Sequence, residues 1–517
     1  MTTPPAAPLA CRHHPACPGC PLIDRPYDQQ LASKRERLVR ALARYPHLEL
    51  PEVEPIVGAV RTAGYRHRLK LPVHVAGEQV RIGLYGPDHR VLHTPDCPVL
   101  APELRDTLRV LVEWLRGRAG VHSIDLRVSV ATGEQMLVLA CRGSDVPGGP
   151  RAVRELRRRA PALASVAVSR ADPEGKRVMG RAPEVVAGAR WIEEQIGQTR
   201  YRLHPGAFFQ VDPLQAEQIH HRVRDHVGPA RTVLDLYAGV GAYGLMLAPG
   251  RSRVVLVEEV TQAADGARAV APPNVEVLAR KVEDVAFDRR FDAAVINPAR
   301  RGSDPESLRR LAGWTDRLVY VSCGPETLAR DLDILAAHGL RVERITPIDL
   351  FPQTPEVETV VTLVRGPPLT RWTTPGGAAR TPWLDGGPSG APGKPKVLIA
   401  LVLGDTRPRG SVDGARFERI GTVAGHSLLR VQLSTTPSRA LAGLKAVGHA
   451  LVGKDPKTAP FFAEKGGLVR PFVHVERDDR GDTAPLHGDL AEVIDRLGGA
   501  SGRSERKSAP ARGRRRR

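Results

Sequence analysis

Aromatic side chains are scarce, at 4% of 517 residues, so rows of Phe and Tyr that could stack on bases are not a conspicuous feature. No apolar run approaches the roughly 20 residues that a membrane-spanning helix needs. The start, Met-Thr-Thr-Pro-Pro-Ala-Ala-Pro, has neither the basic nor the apolar region of a signal peptide. These absences lead us to expect a cytoplasmic protein without a membrane partner. Cysteine is limited to six residues, and in a reducing compartment clustered cysteines favour metal binding or catalysis over disulfides. Internal repeats are also lacking.

Positive charge is in excess. Seventy-six Lys and Arg against 57 Asp and Glu give a formal charge of +19 and a pI of about 10.2. Such a surplus favours a polyanionic partner, and nucleic acid is the commonest. An Arg-rich composition with a basic tail is the plainer explanation, and part of the excess does sit in residues 503–517. That run adds phosphate attraction without sequence information.

The chain is too long for one core and contains 50 Gly and 46 Pro. Residues 1–200 combine a Cys-rich start, a basic helical pattern over Tyr27 to Ala43, and short β-like runs alternating with basic helices, which predicts an α+β domain. Residues 201–366 repeat strand and helix intervals: Thr232-Val-Leu-Asp-Leu-Tyr, Arg253-Val-Val-Leu-Val-Glu, Val275-Glu-Val-Leu, Asp292-Ala-Ala-Val-Ile-Asn and Arg317-Leu-Val-Tyr-Val-Ser. That rhythm predicts a doubly wound, Rossmann-like α/β domain, a parallel sheet with helices on both faces. Residues 367–396 have linker composition, residues 397–497 read as a small β-rich α+β domain, and 498–517 form a basic tail.

In Val233-Leu-Asp235-Leu-Tyr-Ala-Gly239-Val-Gly241 an acidic residue ends a strand and glycines open the next helix. Glycine lets a ligand approach the backbone, and Glu258, ending the following strand, can accept hydrogen bonds from a ribose diol. A Gly-x-Gly turn alone is equally a plain tight turn. The third glycine of the pyrophosphate fingerprint is missing, so a cofactor without a diphosphate, such as S-adenosylmethionine, fits better than NAD. Cys323 ends an apolar run, Val319-Tyr-Val-Ser-Cys, and Glu358 closes Asp349-Leu-Phe-Pro-Gln-Thr-Pro-Glu-Val-Glu. A thiol at a strand end and a carboxylate on a nearby loop can supply a nucleophile and a general base. Beside a cofactor turn they point to methyl transfer onto a carbon that is first activated covalently. The plain alternatives are a small buried cysteine and a solvated carboxylate, with Glu356 a competing base.

Five strings occur in order: Phe208-Phe-Gln-Val, Asp235-Leu-Tyr-Ala-Gly-Val-Gly, Asn297-Pro-Ala-Arg-Arg-Gly, Val321-Ser-Cys-Gly-Pro-Glu-Thr-Leu-Ala-Arg-Asp-Leu and Phe351-Pro-Gln-Thr-Pro-Glu-Val-Glu. Over roughly residues 11–366 the chain resembles the RNA uracil-C5 methyltransferases, which make 5-methyluridine. The resemblance implies that Gln210, Tyr237, Glu258 and Asn297 contact S-adenosylmethionine, that Cys323 is the nucleophile and that Glu358 is the base. The family more often has proline at Ala299, asparagine at Gly324 and histidine at Glu356, departures that touch the substrate loop. A non-catalytic RNA-binding or ribosome-assembly protein on the same scaffold would be expected to lose Cys323 or Glu358, and both are present. The expected partner is RNA, not DNA, and the expected state is a monomer.

Cys11, Cys17 and Cys20, with distant Cys97, give four thiols. Spacing alone allows zinc or an iron–sulfur cluster. The resemblance implies a [4Fe–4S] cluster, as in the ribosomal RNA branch of the family, and therefore ribosomal over transfer RNA as substrate. Cys141, within an apolar run, reads as core. Residues 397–474 resemble the C-terminal half of a pseudouridine synthase, through Val397-Leu-Ile-Ala-Leu-Val, Ser427-Leu-Leu-Arg-Val-Gln-Leu, Lys445-Ala-Val-Gly-His-Ala-Leu-Val-Gly and Arg470-Pro-Phe-Val-His. The His-Arg-Leu-Asp string that would carry the catalytic aspartate there is absent, and Thr435-Thr-Pro-Ser-Arg-Ala replaces the substrate string. We read an inactive remnant that binds RNA or serves only as a structural appendage.

Overall fold

The computed structural model describes residues 8–45, 48–143, 145–170, 183–367, 373–374, 377–378, 395–402, 409–412, 415–423, 426–434, 444 and 473–478. Residues 1–369 form one compact unit and 370–517 another.

In the first unit, helix α1 (Tyr27–Leu42) precedes a sheet of β1 (Arg68–Ala76), β2 (Gln79–Ile82), β3 (Val121–Val128), β4 (Gln135–Cys141), β5 (Leu163–Arg170) and β6 (Glu184–Gly188), in the order β2-β1-β3-β4-β5-β6. Helices α2 (Pro102–Leu115) and α3 (Gly149–Arg159) cover it. In α2 the residues Leu104, Leu108, Leu111 and Leu115 recur at helical spacing and are buried in that core, so one apolar stripe seats the helix. Cys141, the last residue of β4, is buried there too.

A hairpin of β7 (Ile192–Ile196) and β8 (Thr199–Leu203) leads to α4 (Pro213–Val227). The second sheet then follows: β9 (Thr232–Leu236), α5 (Gly244–Leu247), β10 (Arg253–Glu258), α6 (Thr261–Arg268), β11 (Val275–Ala279), β12 (Ala293–Ile296), α7 (Pro305–Trp314), β13 (Arg317–Ser322), α8 (Pro325–Ala337), β14 (Leu340–Ile348) and β15 (Glu358–Arg365). Its order is β11-β10-β9-β12-β13-β15-β14. Both faces are covered, one by α1, α7 and α8 and the other by α4, α5, α6 and the hairpin. That is why β9, β10, β12 and β13 read as nearly continuous apolar runs.

The sheet departs from an all-parallel expectation at one strand. β15 runs antiparallel to both β13 and β14, because the segment between Ile348 and Glu358 is too short for a crossover helix. Glu358 therefore opens a strand and does not sit on a loop. The chain order reverses between β9 and β12, leaving a crevice at their carboxyl ends where ligands of open α/β sheets bind.

The second unit contains a five-stranded antiparallel sheet of Arg409–Val412, Ala415–Val423, His426–Leu433, Pro395–Val402 and Val473–Asp478, in that spatial order. Leu398, Ala400, Phe417, Leu429 and Val431 bury its inner face. The strand at Pro395 takes in the last two residues of the expected linker. The strings at Thr435, Lys445 and Arg470-Pro471-Phe472, and the basic tail, lie outside the described residues.

Candidate active site

Tyr237 follows β9 with a φ of 59°, a left-handed conformation that a bulky side chain adopts only under constraint. Its hydroxyl shares a 2.6 Å hydrogen bond with Ser303 Oγ. A Cβ added to Gly239 would meet nothing within 4 Å, whereas one on Gly241 would strike Leu245 at 2.8 Å. Gly239 thus faces open space and Gly241 lets the helical turn close on the sheet. Glu258 Oε2 accepts from Gly239 N at 2.8 Å, and its Oε1 accepts from Val260 N at 2.8 Å. A cavity of about 640 Å³ opens here, lined by Tyr237, Glu258, Lys281, Asp284, Ser303 and Asp304 among others. Asp235 lies buried behind it. Its Oδ2 accepts from Gly244 N at 2.7 Å, its Oδ1 has no partner, and burial pushes its carboxyl up to about 7.

Cys323 comes one residue after β13, and Glu358 is the first residue of β15. Ser322 pairs with Thr359 in the antiparallel register, so Cys323 and Glu358 are the next positions on adjacent strand ends. Opposed residues in such a ladder have Cα atoms about 4.5–5.5 Å apart. Burial, then the Glu358 carboxylate, raise the Cys323 thiol to about 11, with Arg300 opposing and Glu356 adding to the rise. Glu358 is itself raised to about 7, chiefly by burial, with Arg300 again opposing and Glu356 reinforcing. Arg300 is held at the rim by Glu356 Oε1 at 3.4 Å, and Glu356 Oε2 lies 3.7 Å from Arg37 on α1. A thiol, a buried carboxyl and an exposed guanidinium thus converge where β13 and β15 meet.

Gln210 and Asn297 do not line the 640 Å³ cavity. Gln210 faces the buried phenol of Tyr243, which is also close enough to Glu358 to feel its charge. Asn297 stands half-buried, one residue past β12. The loop before Gln210 is gripped from below: the Ala207 carbonyl accepts from Arg68 at 2.7 Å and from Arg127 at 2.8 Å. Phe208 is left 65% exposed.

The four N-terminal thiols also converge. Cys11, Cys17, Cys20 and Cys97 line one cavity of about 180 Å³ with Tyr65, Arg66 and Lys70. Burial, followed by Cys97, Cys17 and Cys11, raises the Cys20 thiol to about 12, and burial raises Cys97 as well. Four thiolates so placed repel one another unless a cationic group sits among them. Among the described residues no three His, Cys, Asp or Glu side chains are placed to grip a single metal ion.

A family model described as tRNA (uracil-5-)-methyltransferase matches residues 258–366. An uncharacterised RNA methyltransferase of Gloeobacter violaceus is 34% identical over 364 residues, covering 66% of this chain and 79% of its own. A second, from Thermosynechococcus vestitus, is 33% identical and covers 67% and 82% respectively. The chain belongs to the RNA uracil-C5 methyltransferase family. The crystal structure of the Pyrococcus abyssi tRNA (uracil-54, C5)-methyltransferase with S-adenosyl-L-homocysteine aligns with a TM-score of 0.56 at 27% identity, covering 68% of this chain and 86% of that one.

As a member of this enzyme family, the methyltransferase carries groups at its site to which sequence reasoning assigns no role. Asp235, Tyr243 and Arg300 are three. Asp235 had a signal, an acidic residue ending the strand before the glycine turn. Arg300 lies inside Asn-Pro-Ala-Arg-Arg-Gly, but which of its two arginines turns toward Cys323 is a matter of loop geometry. Tyr243 is simply an aromatic within the turn, and nothing in its spacing separates it from core.

Proposed function

We propose that this enzyme methylates C5 of a uridine in RNA, with S-adenosylmethionine as donor, through a covalent bond between Cys323 and C6 of the base. The adjacency of Cys323 and Glu358 on paired strand ends carries the reading. Uracil C5 is a weak nucleophile. Once Cys323 has lost its proton to solvent, addition of the thiolate to C6 pushes the ring electrons into an enolate with carbanion character at C5. The bound sulfonium supplies the methyl group that C5 attacks. Glu358 then takes the C5 proton, the C5–C6 double bond re-forms, and the sulfur leaves as thiolate. A carboxyl raised to about 7 by burial suits this task, since it still ionises near neutral pH yet is basic enough to take a carbon-bound proton. Tyr237 and Glu258, with Gln210 and Asn297, are assigned to the cofactor. The target base must leave its stack to present C5 and C6 to these groups.

We assign the four thiols to a [4Fe–4S] cluster on the family resemblance, with the one cavity that gathers them in support. The chemistry such a group supplies here is structural, tying the N-terminus to the sheet of β1–β6. Iron and acid-labile sulfide in equal amounts in anaerobically purified protein is the expected analysis, and stoichiometric zinc would correct it. The cluster favours ribosomal RNA as substrate. The descriptions of the matching family model and of the Pyrococcus abyssi enzyme favour transfer RNA as the second reading.

The test uses RNA from cells with and without the gene, mapped for 5-methyluridine, together with two variants. Cys323→Ala should neither turn over nor bind RNA covalently. Glu358→Gln should hold RNA in a denaturant-resistant complex. A folded Glu358→Gln enzyme without that complex would count against the mechanism.

A further inference from the structure

The segment that leads into Glu358 is held by the N-terminal region rather than by its own sheet. Three successive carbonyls each accept from a different N-terminal donor: Phe351 O from Lys34 Nζ at 2.9 Å, Pro352 O from the Tyr65 hydroxyl at 2.9 Å, and Gln353 O from the Leu22 amide at 3.0 Å. The Gln353 amide donates to Gln30 Oε1 at 2.8 Å, and Gln30 Nε2 donates to Gln353 Oε1 at 2.8 Å. Asp349 is enclosed by Lys34 and by the Tyr27 hydroxyl, the latter at 2.8 Å. The Arg66 guanidinium lies 5.8 Å from the centre of the Phe351 ring. Gln353 adopts a φ of 71°, a left-handed backbone that a glutamine keeps only where its surroundings impose it.

Local turn bonds are present, from Thr354 N and Oγ1 to Phe351 O at 3.2 and 2.8 Å and from Phe351 N to Asp349 Oδ1 at 3.0 Å, but they do not account for the bonds on the Pro352 and Gln353 carbonyls. The donors come from residues 22–65, between 287 and 331 positions away, and all of them meet a segment that ends five residues before the assigned base. Interactions of this kind set where a side chain stands. Catalysis is sensitive to that, since a misplacement of about 1 Å can cost on the order of 100-fold in rate.

We propose that Tyr65 and Gln30 are positioning residues for Glu358, fixing the Phe351–Gln353 segment so that the carboxylate meets the C5 proton. The inference rests on the reading of Glu358 as the base. It concerns one step, proton removal and release of Cys323. RNA binding, addition to C6 and methyl transfer use other groups. Tyr65 lines the cysteine cavity and Leu22 stands two residues after Cys20, so the cysteine-bearing segment shares these contacts with the stretch that leads to Glu358.

The experiment compares the full-length wild type with Tyr65→Phe, Gln30→Met and Glu358→Gln, using tritiated S-adenosylmethionine and total RNA from cells lacking the gene. Product formation, the denaturant-resistant protein–RNA complex per folded enzyme, and thermal melting are measured together. Each positioning variant should lose about 10-fold in kcat, as expected for one displaced hydrogen bond, with KM for RNA unchanged. Each should also accumulate the covalent complex, as Glu358→Gln does. A merely structural contact lowers the folded fraction and leaves the ratio of complex to product unchanged, and that result would overturn the proposal. Wild-type turnover in both variants, with Glu358→Gln still trapping RNA, would overturn it while leaving the base assignment intact. Failure of Glu358→Gln to trap RNA would remove the base assignment and this inference with it.

Discussion

Replacing Glu358 by Gln should make the free protein more stable at neutral and alkaline pH, and much less so in acid. Burial raises this carboxyl from the ordinary 4.5 to about 7 in the fold. The native state therefore holds its proton more tightly than the unfolded chain does. As pH rises through the window from 4.5 to 7, the unfolded chain ionises first and gains, so native stability falls across that window and levels off above it. At about 1.4 kcal/mol per tenfold change in proton affinity, the loss amounts to about 3 kcal/mol at pH 8.5 and less than about 1 kcal/mol at pH 5. Glutamine carries no charge at either pH and escapes the penalty. For the unit of 369 residues, an unfolding entropy of roughly 2.1 cal/mol/K per residue turns that difference into about 3 °C. Differential scanning fluorimetry of both proteins at the two pH values gives the answer. The variant should gain about 3 °C more at pH 8.5 than at pH 5, while any pH-independent effect of the amide cancels. An equal shift at both values, or a loss at pH 8.5, would refute the claim that Glu358 is a buried, proton-hungry base.

Further expectations concern its neighbours. Glu356→Gln removes a carboxylate that raises both Cys323 and Glu358. Alkylation of Cys323 by iodoacetamide should then run faster at neutral pH, and the acid limb of turnover should move to lower pH. Lys34→Met leaves Asp349 buried without its cation and should cost about 3–5 kcal/mol in denaturant titration, with the double variant Lys34→Met/Asp349→Asn recovering much of the loss. Gly239→Ala puts a side chain at a φ of 57° on the open side of the glycine turn. It should weaken binding of S-adenosylhomocysteine by calorimetry at a strain cost on the order of 1 kcal/mol.

Much of the site was legible because its residues sit at the ends of strands, where chain order and chemistry coincide. Glu258 ends a strand, and Cys323 and Tyr237 each come one residue after a strand, whose apolar runs are visible in the sequence. The direction of β15 was not legible, although Val360-Val-Thr-Leu-Val is as strand-like as any other run. Direction follows from the short connection and from which neighbour is free to pair. The grip of Leu22, Gln30 and Tyr65 on the Phe351–Gln353 segment was equally hidden, since pairings across 287 to 331 positions leave no local periodicity. The seating of α1 on the second sheet, through Leu38 and Leu42, belongs to the same class.

The pairing of β13 with β15 gives the enzyme a form of tolerance. The distance between Cys323 and Glu358 is set by a backbone ladder, so the helix and strand that intervene in the chain do not have to measure it. The turn between α8 and β14, around His338 and Gly339, can drift in length, since doubling a connection costs only about 0.6 kcal/mol in closure entropy. A slip of one position between the two strands is different. It would turn Glu358 to the opposite face of the sheet and separate the pair in a single step. Variation in length among such enzymes should therefore collect at the α8–β14 turn, and almost none should reach the ladder that joins the two residues.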